Sequence, residues 1–196
     1  MEKVMDQDQL TLYQKIESAK EQVMQLEWEY WVRFSSIHTF EFWVIFLLFF
    51  AAPLIALYFL IDRRKMLLLG FYGFNIHVWF GYVDTAQDKM GVLGYPYELL
   101  PFLSGNVSLE AALVPVLFML VYQWTLNHRK NFYLYSLLLS AFLSFVLKPI
   151  LVMHLFFELS EGLTYFHLFI AYIGVFLFSK FITTVFLRMQ RKHVYL

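Results

Sequence analysis

The chain has 196 residues; 60% are hydrophobic, 15% are charged, and 15 basic side chains balance 15 acidic ones. Soluble domains hold about 45–50% apolar and about 25% charged residues, so a single soluble core is excluded. Disorder is excluded too, because it needs low hydrophobicity and high net charge.

The chain has no cysteine, which removes disulfides, thiolate nucleophiles and Cys-ligated metals from consideration. The zero net charge offers nucleic acid no basic surface. The first 30 residues carry acids and bases throughout, so no cleavable leader is expected. The expected fold class is all-α: an integral membrane bundle of five transmembrane helices, preceded by an extramembrane amphipathic N-terminal helix.

That first helix is predicted within a leading unit, residues 1–36. Leu12, Ile16, Ala19, Val23, Leu26 and Tyr30 recur at 4-3-4-3-4 spacing, which is a heptad seam. The seam suits a homo-oligomer contact or a helix lying on the membrane. Trp28, Tyr30 and Trp31 are placed to anchor it at the headgroups.

A transmembrane unit follows at 37–190, and a cytoplasmic tail at 191–196. About 20 apolar residues span hydrocarbon as a helix. The runs that qualify are 40–61, 66–83, 109–126, 132–157 and 165–187. They are continuous, whereas a barrel strand alternates over about ten residues. Pro53, Pro115 and Pro149 fall inside spans and are expected to kink them. Ser108 is expected to cap the third span.

Arg63, Arg64 and Lys65, then Arg129 and Lys130, then Arg188, Arg191 and Lys192 alternate with loops holding only Lys89. The positive-inside rule therefore puts the N-terminus outside and the C-terminus in the cytoplasm. Four bases against seven acids before the first span agree with export of that segment.

The stretch 84–110 is too apolar around Leu99, Leu100, Pro101, Phe102 and Leu103 for a free loop. Asp84, Lys89, Tyr95, Pro96, Leu99, Leu100, Pro101, Glu110, Pro115, Tyr122 and Gln123 together make a recognisable pattern. It resembles a family of small multi-pass membrane proteins of spore-forming Firmicutes. In that family an Asp near a span end is followed by a Lys–Gly-like turn, a Tyr-Pro pair, a Leu-Leu-Pro run and an acidic opening of the next span. Residues 162–167 (GLTYFH) are similar to the family's Gly-Trp-Thr-type opening of the last span. Leu163 stands where a Trp is expected, and Glu110 where an Asp is. The resemblance covers about residues 66–190 and omits the N-terminal helix. It implies a bacterial cell membrane and brings no activity with it.

Polar groups inside an apolar span are expensive and often functional. His77, Gly81, Asp84 and Asp88 share one helix face. Lys148, His154 and Glu158 lie toward the outer end of span four, His167 opens span five, and Glu110 opens span three. In the first reading, Asp84 or Glu158 pairs with Lys148, and the histidines carry protons. His154 and Glu158, at i and i+4, are a weak metal candidate. In the plainer reading Lys148 neutralises one acid and the rest contact water or the bundle. Nothing in the sequence calls for a cofactor.

Lys180 is expected to snorkel to the headgroups. Gln123 and Asn127 are expected to bond a neighbouring helix. Ser136, Ser140 and Ser144 form a small-residue face suited to close helix packing, and to a homo-oligomer contact. Membrane lipids are the other expected partner.

No nucleophile elbow, phosphate loop or His-Glu-x-x-His motif is present. The leading expectation is a non-enzymatic assembly, accessory or sensor protein. A small transporter or channel with a polar cavity of Asp84, Lys148 and Glu158 is the alternative. A membrane enzyme acting on lipid headgroups through His154 or His167 is the third reading.

Overall fold

The computed structural model describes residues 5–103, 105–160 and 162–193, and of the last three the backbone alone. Helix α1 spans Gln7–Phe34. The Asp6 side chain accepts from Gln9 N at 2.8 Å and so caps its first turn. None of its residues is buried. Seam residues Leu12 and Leu26 are 63% and 66% exposed, so the described residues leave the stripe largely uncovered.

Five further helices are long and apolar enough to cross a membrane. They are α2 (Phe40–Leu60), α3 (Met66–Lys89), α4 (Leu109–Asn127), α5 (Phe132–Met153) and α6 (Tyr165–His193). A single 3₁₀ turn, Arg63–Lys65, leads into α3. The core lies among α3, α4, α5 and α6, around Leu69, Tyr72, Ile76, Phe118, Tyr122 and Leu143. Helix α2 is peripheral, with only Ile45 and Pro53 buried.

Three helix ends depart from the apolar runs. Helix α3 continues beyond Val83 to Lys89, because nothing breaks it before Gly91. Gly91 adopts φ 67°. Its N–H reaches Asp88 O at 2.8 Å, and Val92 N–H reaches Gln87 O at 3.1 Å, which closes a Schellman turn. Helix α5 stops at Met153 rather than 157. There Leu155 takes φ 61°, with Leu155 N–H on Val152 O and Phe156 N–H on Leu151 O. This is the same motif built on a leucine, in an apolar run with no composition change to mark it. Helix α6 continues to His193, into the segment assigned to a tail. The rest of that tail, and the Arg191 and Lys192 side chains, lie outside the described residues.

The prolines act through the turn before them. Pro53, Pro115 and Pro149 each follow a π-helical stretch, at Ile45–Ala51, Leu109–Leu113 and Leu143–Leu147. Proline lacks an N–H and crowds the carbonyl four residues back. A widened i→i+5 turn accommodates both defects. Glu110 sits in the second of these stretches, and Lys148 directly follows the third.

The α4 cap is not Ser108, whose side chain makes no capping bond. Asn106 Oδ1 accepts from Leu109 N at 3.2 Å and also from the Ser108 hydroxyl.

At the Arg/Lys-rich end, Gln123 joins α4 to the end of α2. Its Nε2 donates to Leu60 O at 2.8 Å, and its Oε1 accepts from Asp62 N at 2.6 Å. Lys65 bonds Asp62 at 2.9 Å and also Asn127. Lys180 does not snorkel. Its Nζ donates to the Tyr122 hydroxyl at 2.6 Å and lies 4.0 Å from that ring's centroid. The tyrosine offers an acceptor closer than the helix end. Ser136, Ser140 and Ser144 are fully buried in the chain's own bundle.

At the opposite end, two short strands tie the long loop to the α5–α6 connection. Strand β1 (Leu93–Gly94) runs antiparallel to β2 (Glu158–Leu159), with Leu93 opposite Leu159 and Gly94 opposite Glu158.

Candidate functional site

Beneath those strands lies a buried cluster of charge. Asp84 comes from α3, Tyr95 from the loop, Glu110 from α4 and Lys148 from α5. Asp84 and Lys148 are each 2% exposed and Glu110 is 7% exposed. The Tyr95 hydroxyl donates to Asp84 Oδ1 at 2.7 Å and accepts from Lys148 Nζ at 3.2 Å. Lys148 therefore meets Asp84 through a phenol, with no direct ion pair within 4.0 Å. Its ammonium also lies 3.5 Å from the Phe157 ring centroid, a cation–π contact in a site shut off from solvent.

Glu110 occupies a cradle made by two glycines. A Cβ at Gly81 would lie 3.1 Å from Glu110 Oε2. A Cβ at Gly105 would strike Glu110 Oε1 and lie 3.1 Å from Asp84 Oδ2. Gly105 also has φ 83°, a conformation that side chains resist. One oxygen of each carboxyl group thus faces the same point above Gly105. Yet Asp84 Oδ2 and Glu110 Oε1 have no donor among the described residues. Two carboxyl oxygens brought together away from water call for something positive between them, a proton or a cation.

A cleft of about 380 Å³ opens above the cluster, between α1 and the loop. Glu27, Tyr30, Trp31, Asp88, Tyr95 and Glu98 line it. Tyr95 thus faces the cleft and touches the cluster. The Glu98 backbone is clamped by α1. Trp31 Nε1 donates to Glu98 O at 3.0 Å, the Ser35 hydroxyl donates to the same oxygen at 2.9 Å, and Glu98 N donates back to Ser35 Oγ at 2.8 Å. Burial, with Asp88 and Glu27 nearby, pushes the Glu98 carboxyl up to about 8. Burial raises Glu27 as well, with Asp88 adding to the shift. The Tyr95 phenol is held well above its ordinary range by burial, with Asp84 beside it.

The face predicted from the 4-3-4 spacing is real and does four different things. His77 Nδ1 lies 3.0 Å from Glu110 O. Gly81 makes room for the Glu110 side chain, Asp84 joins the cluster, and Asp88 lines the cleft. The pairing of Glu158 with Lys148 does not occur. Glu158 is exposed on β2, because α5 ended five residues earlier. The same stop separates His154 from Glu158, which no longer share a helix face. His154 is exposed, and the His167 ring bonds Thr164 at the start of α6. Neither histidine joins Asp84. Among the described residues, no three His, Asp or Glu side chains are grouped to hold a metal ion.

Sequence reasoning missed three parts of the site: the Tyr95 hydroxyl as the bridge, Gly105 as the cradle, and Glu98 in the cleft. The Tyr-Pro pair was a usable signal for the first, since proline holds the preceding residue extended. No protein-family model, curated protein or solved structure matches the chain.

Proposed function

We propose that this is a non-enzymatic, multi-pass membrane protein of sensor or accessory type, in which α1 reports the state of the buried cluster. The five apolar helices cross the bilayer in this reading. The long loop and α1 lie outside, and the Arg/Lys-rich end lies in the cytoplasm, as the positive-inside rule requires. A bacterial cell membrane accords with the likeness to the Firmicutes family.

One observation carries the reading. The loop residue clamped by Trp31 and Ser35 is only three positions from the tyrosine that bridges Asp84 and Lys148. A change of charge or geometry at Asp84 therefore has a short path to α1: one hydrogen bond to Tyr95, three residues of chain, and the clamp on Glu98. The expected result is that Asp84→Asn speeds amide exchange in residues 24–35 and shifts Trp31 fluorescence, with total helix content unchanged. Identical exchange in the two proteins would remove the proposed link.

The exposed Leu12-to-Tyr30 stripe supports a second element of the reading, that α1 also carries a homo-oligomer contact. Removal of residues 1–35 is expected to lower the mass of the particle in both detergent and nanodiscs. An unchanged mass in both would leave the stripe without that role.

A further inference from the structure

The buried carboxyl pair has more to say about what the protein binds. If Asp84, Glu110 and Lys148 were all ionised, the cluster would carry one net negative charge inside an apolar bundle. A single added positive charge makes it neutral, and a divalent ion would overshoot. Burying uncompensated charge is costly, so occupancy by one monovalent positive species is the balanced state. The place for it is marked independently. Two orphaned oxygens, on side chains at least nine-tenths buried, converge above Gly105, where a side chain would collide with one and crowd the other. Carboxylate oxygens are hard donors that prefer small hard cations.

We infer that Asp84 and Glu110, over the Gly105 backbone, form an exchangeable site for one small alkali cation, Na⁺ or Li⁺, taken up in place of one proton. This rests on the reading that the cluster is the working part of the protein, and it names the ligand. Exchange is one for one: the carboxyl pair releases its proton to solvent, the cation takes its place, and the charge of the cluster is unchanged. The cation enters from the cleft lined by Glu27, Asp88 and Glu98, past Tyr95.

The test uses the full chain in detergent at fixed ionic strength, with choline chloride exchanged for NaCl or LiCl. The expected result is a rise in unfolding temperature with Na⁺. Its half-maximal concentration should fall about tenfold for each pH unit raised while proton and cation compete. In lightly buffered solution at the acidic end of that range, about one proton should appear per site filled. Asp84→Asn and Glu110→Gln should each abolish both effects, while Glu158→Gln should keep them. Gly105→Ala should abolish them by filling the cradle with no charge removed. If these variants fail to fold, the wild-type proton count and the Na⁺-over-K⁺ preference still decide the question.

Equal stabilisation by Na⁺, K⁺ and choline would overturn the inference, as would Na⁺ stabilisation without proton release. The proposed link to α1 is read separately. If Asp84→Asn alters α1 exchange but Na⁺ has no effect, the cation site fails and the sensor reading survives. If Na⁺ binds with proton release but α1 exchange never changes, the site stands and the sensor reading fails.

Discussion

Lys148→Met is expected to destabilise the protein by about 3–5 kcal/mol, the usual cost of leaving a buried charge without its partner. The ammonium is the only cation in contact with the Tyr95–Asp84 arrangement among the described residues. Its loss leaves Asp84 and Glu110 facing each other with nothing positive in the cluster. Adding Asp84→Asn should recover a large part of the loss, because one carboxyl remains and it can hold its own proton. A double-mutant cycle of unfolding in mixed micelles measures this coupling. Lys180→Met is the contrast. Lys180 faces the Tyr122 hydroxyl and the Tyr122 and Phe132 rings, and among the described residues no acid pairs with it. Its replacement is expected to cost no more than about 1–1.5 kcal/mol, the net worth of a typical hydrogen bond. Equal losses for the two lysines would mean that the cluster is not coupled by charge.

The attachment of α1 is expected to weaken as pH rises from about 5 to about 8. The cause is Glu98, whose carboxyl is pushed up from an ordinary 4.5 to about 8 by burial and by the acids Asp88 and Glu27. With α1 docked, Glu98 holds its proton over a range in which a solvated carboxyl has lost it. The docked state therefore binds more protons, and its stability falls with pH across that window. The contribution is complete below the ordinary value and gone once pH passes about 8. Hydrogen exchange of residues 24–35, corrected for its intrinsic pH dependence, is the direct measurement. Glu98→Gln, which cannot ionise, should flatten the profile while keeping the Ser35 and Trp31 clamps, because both act on the backbone. A Gln variant with the wild-type profile would move the titration to another group.

Much of this fold was legible in the sequence because hydrocarbon-length apolar runs are a strong physical signal. The starts of all five long helices were found at or within a few residues, and the His77–Asp88 face followed from helical periodicity. Ends were harder. Gly91 advertises its left-handed turn, and the α3 stop is built on it. Leu155 makes an equivalent turn in a continuous apolar stretch, where only the tertiary contacts of the connection to β2 select it. That one stop undid the expected His154–Glu158 pair and removed Glu158 from the Lys148 site. The second acid of the cluster, Glu110, had been noticed as a polar candidate. Its depth depends on Gly81 and Gly105 coming together from separate segments, which no local spacing encodes. Tyr95 stood out in the sequence only as half of a Tyr-Pro pair, because its hydroxyl contributes through contacts 11 and 53 positions away.

Helix α1 is anchored at one end only. The residues that line its clefts with the loop begin at Met24, and none of residues 7–23 is buried among the described residues. At 1.5 Å per residue that free portion is a rod of roughly 25 Å. The tip lies about 36–42 Å from the Glu98 clamp at Trp31 and Ser35, so a pivot of about 10° there would swing it by roughly 6–7 Å, more than the length of a hydrogen bond. Motion too small to disturb packing around Tyr95 would thus be magnified where a neighbouring molecule meets the rod. The geometry is that of a pointer on a dial, and a spin label at Leu12 would read its scale.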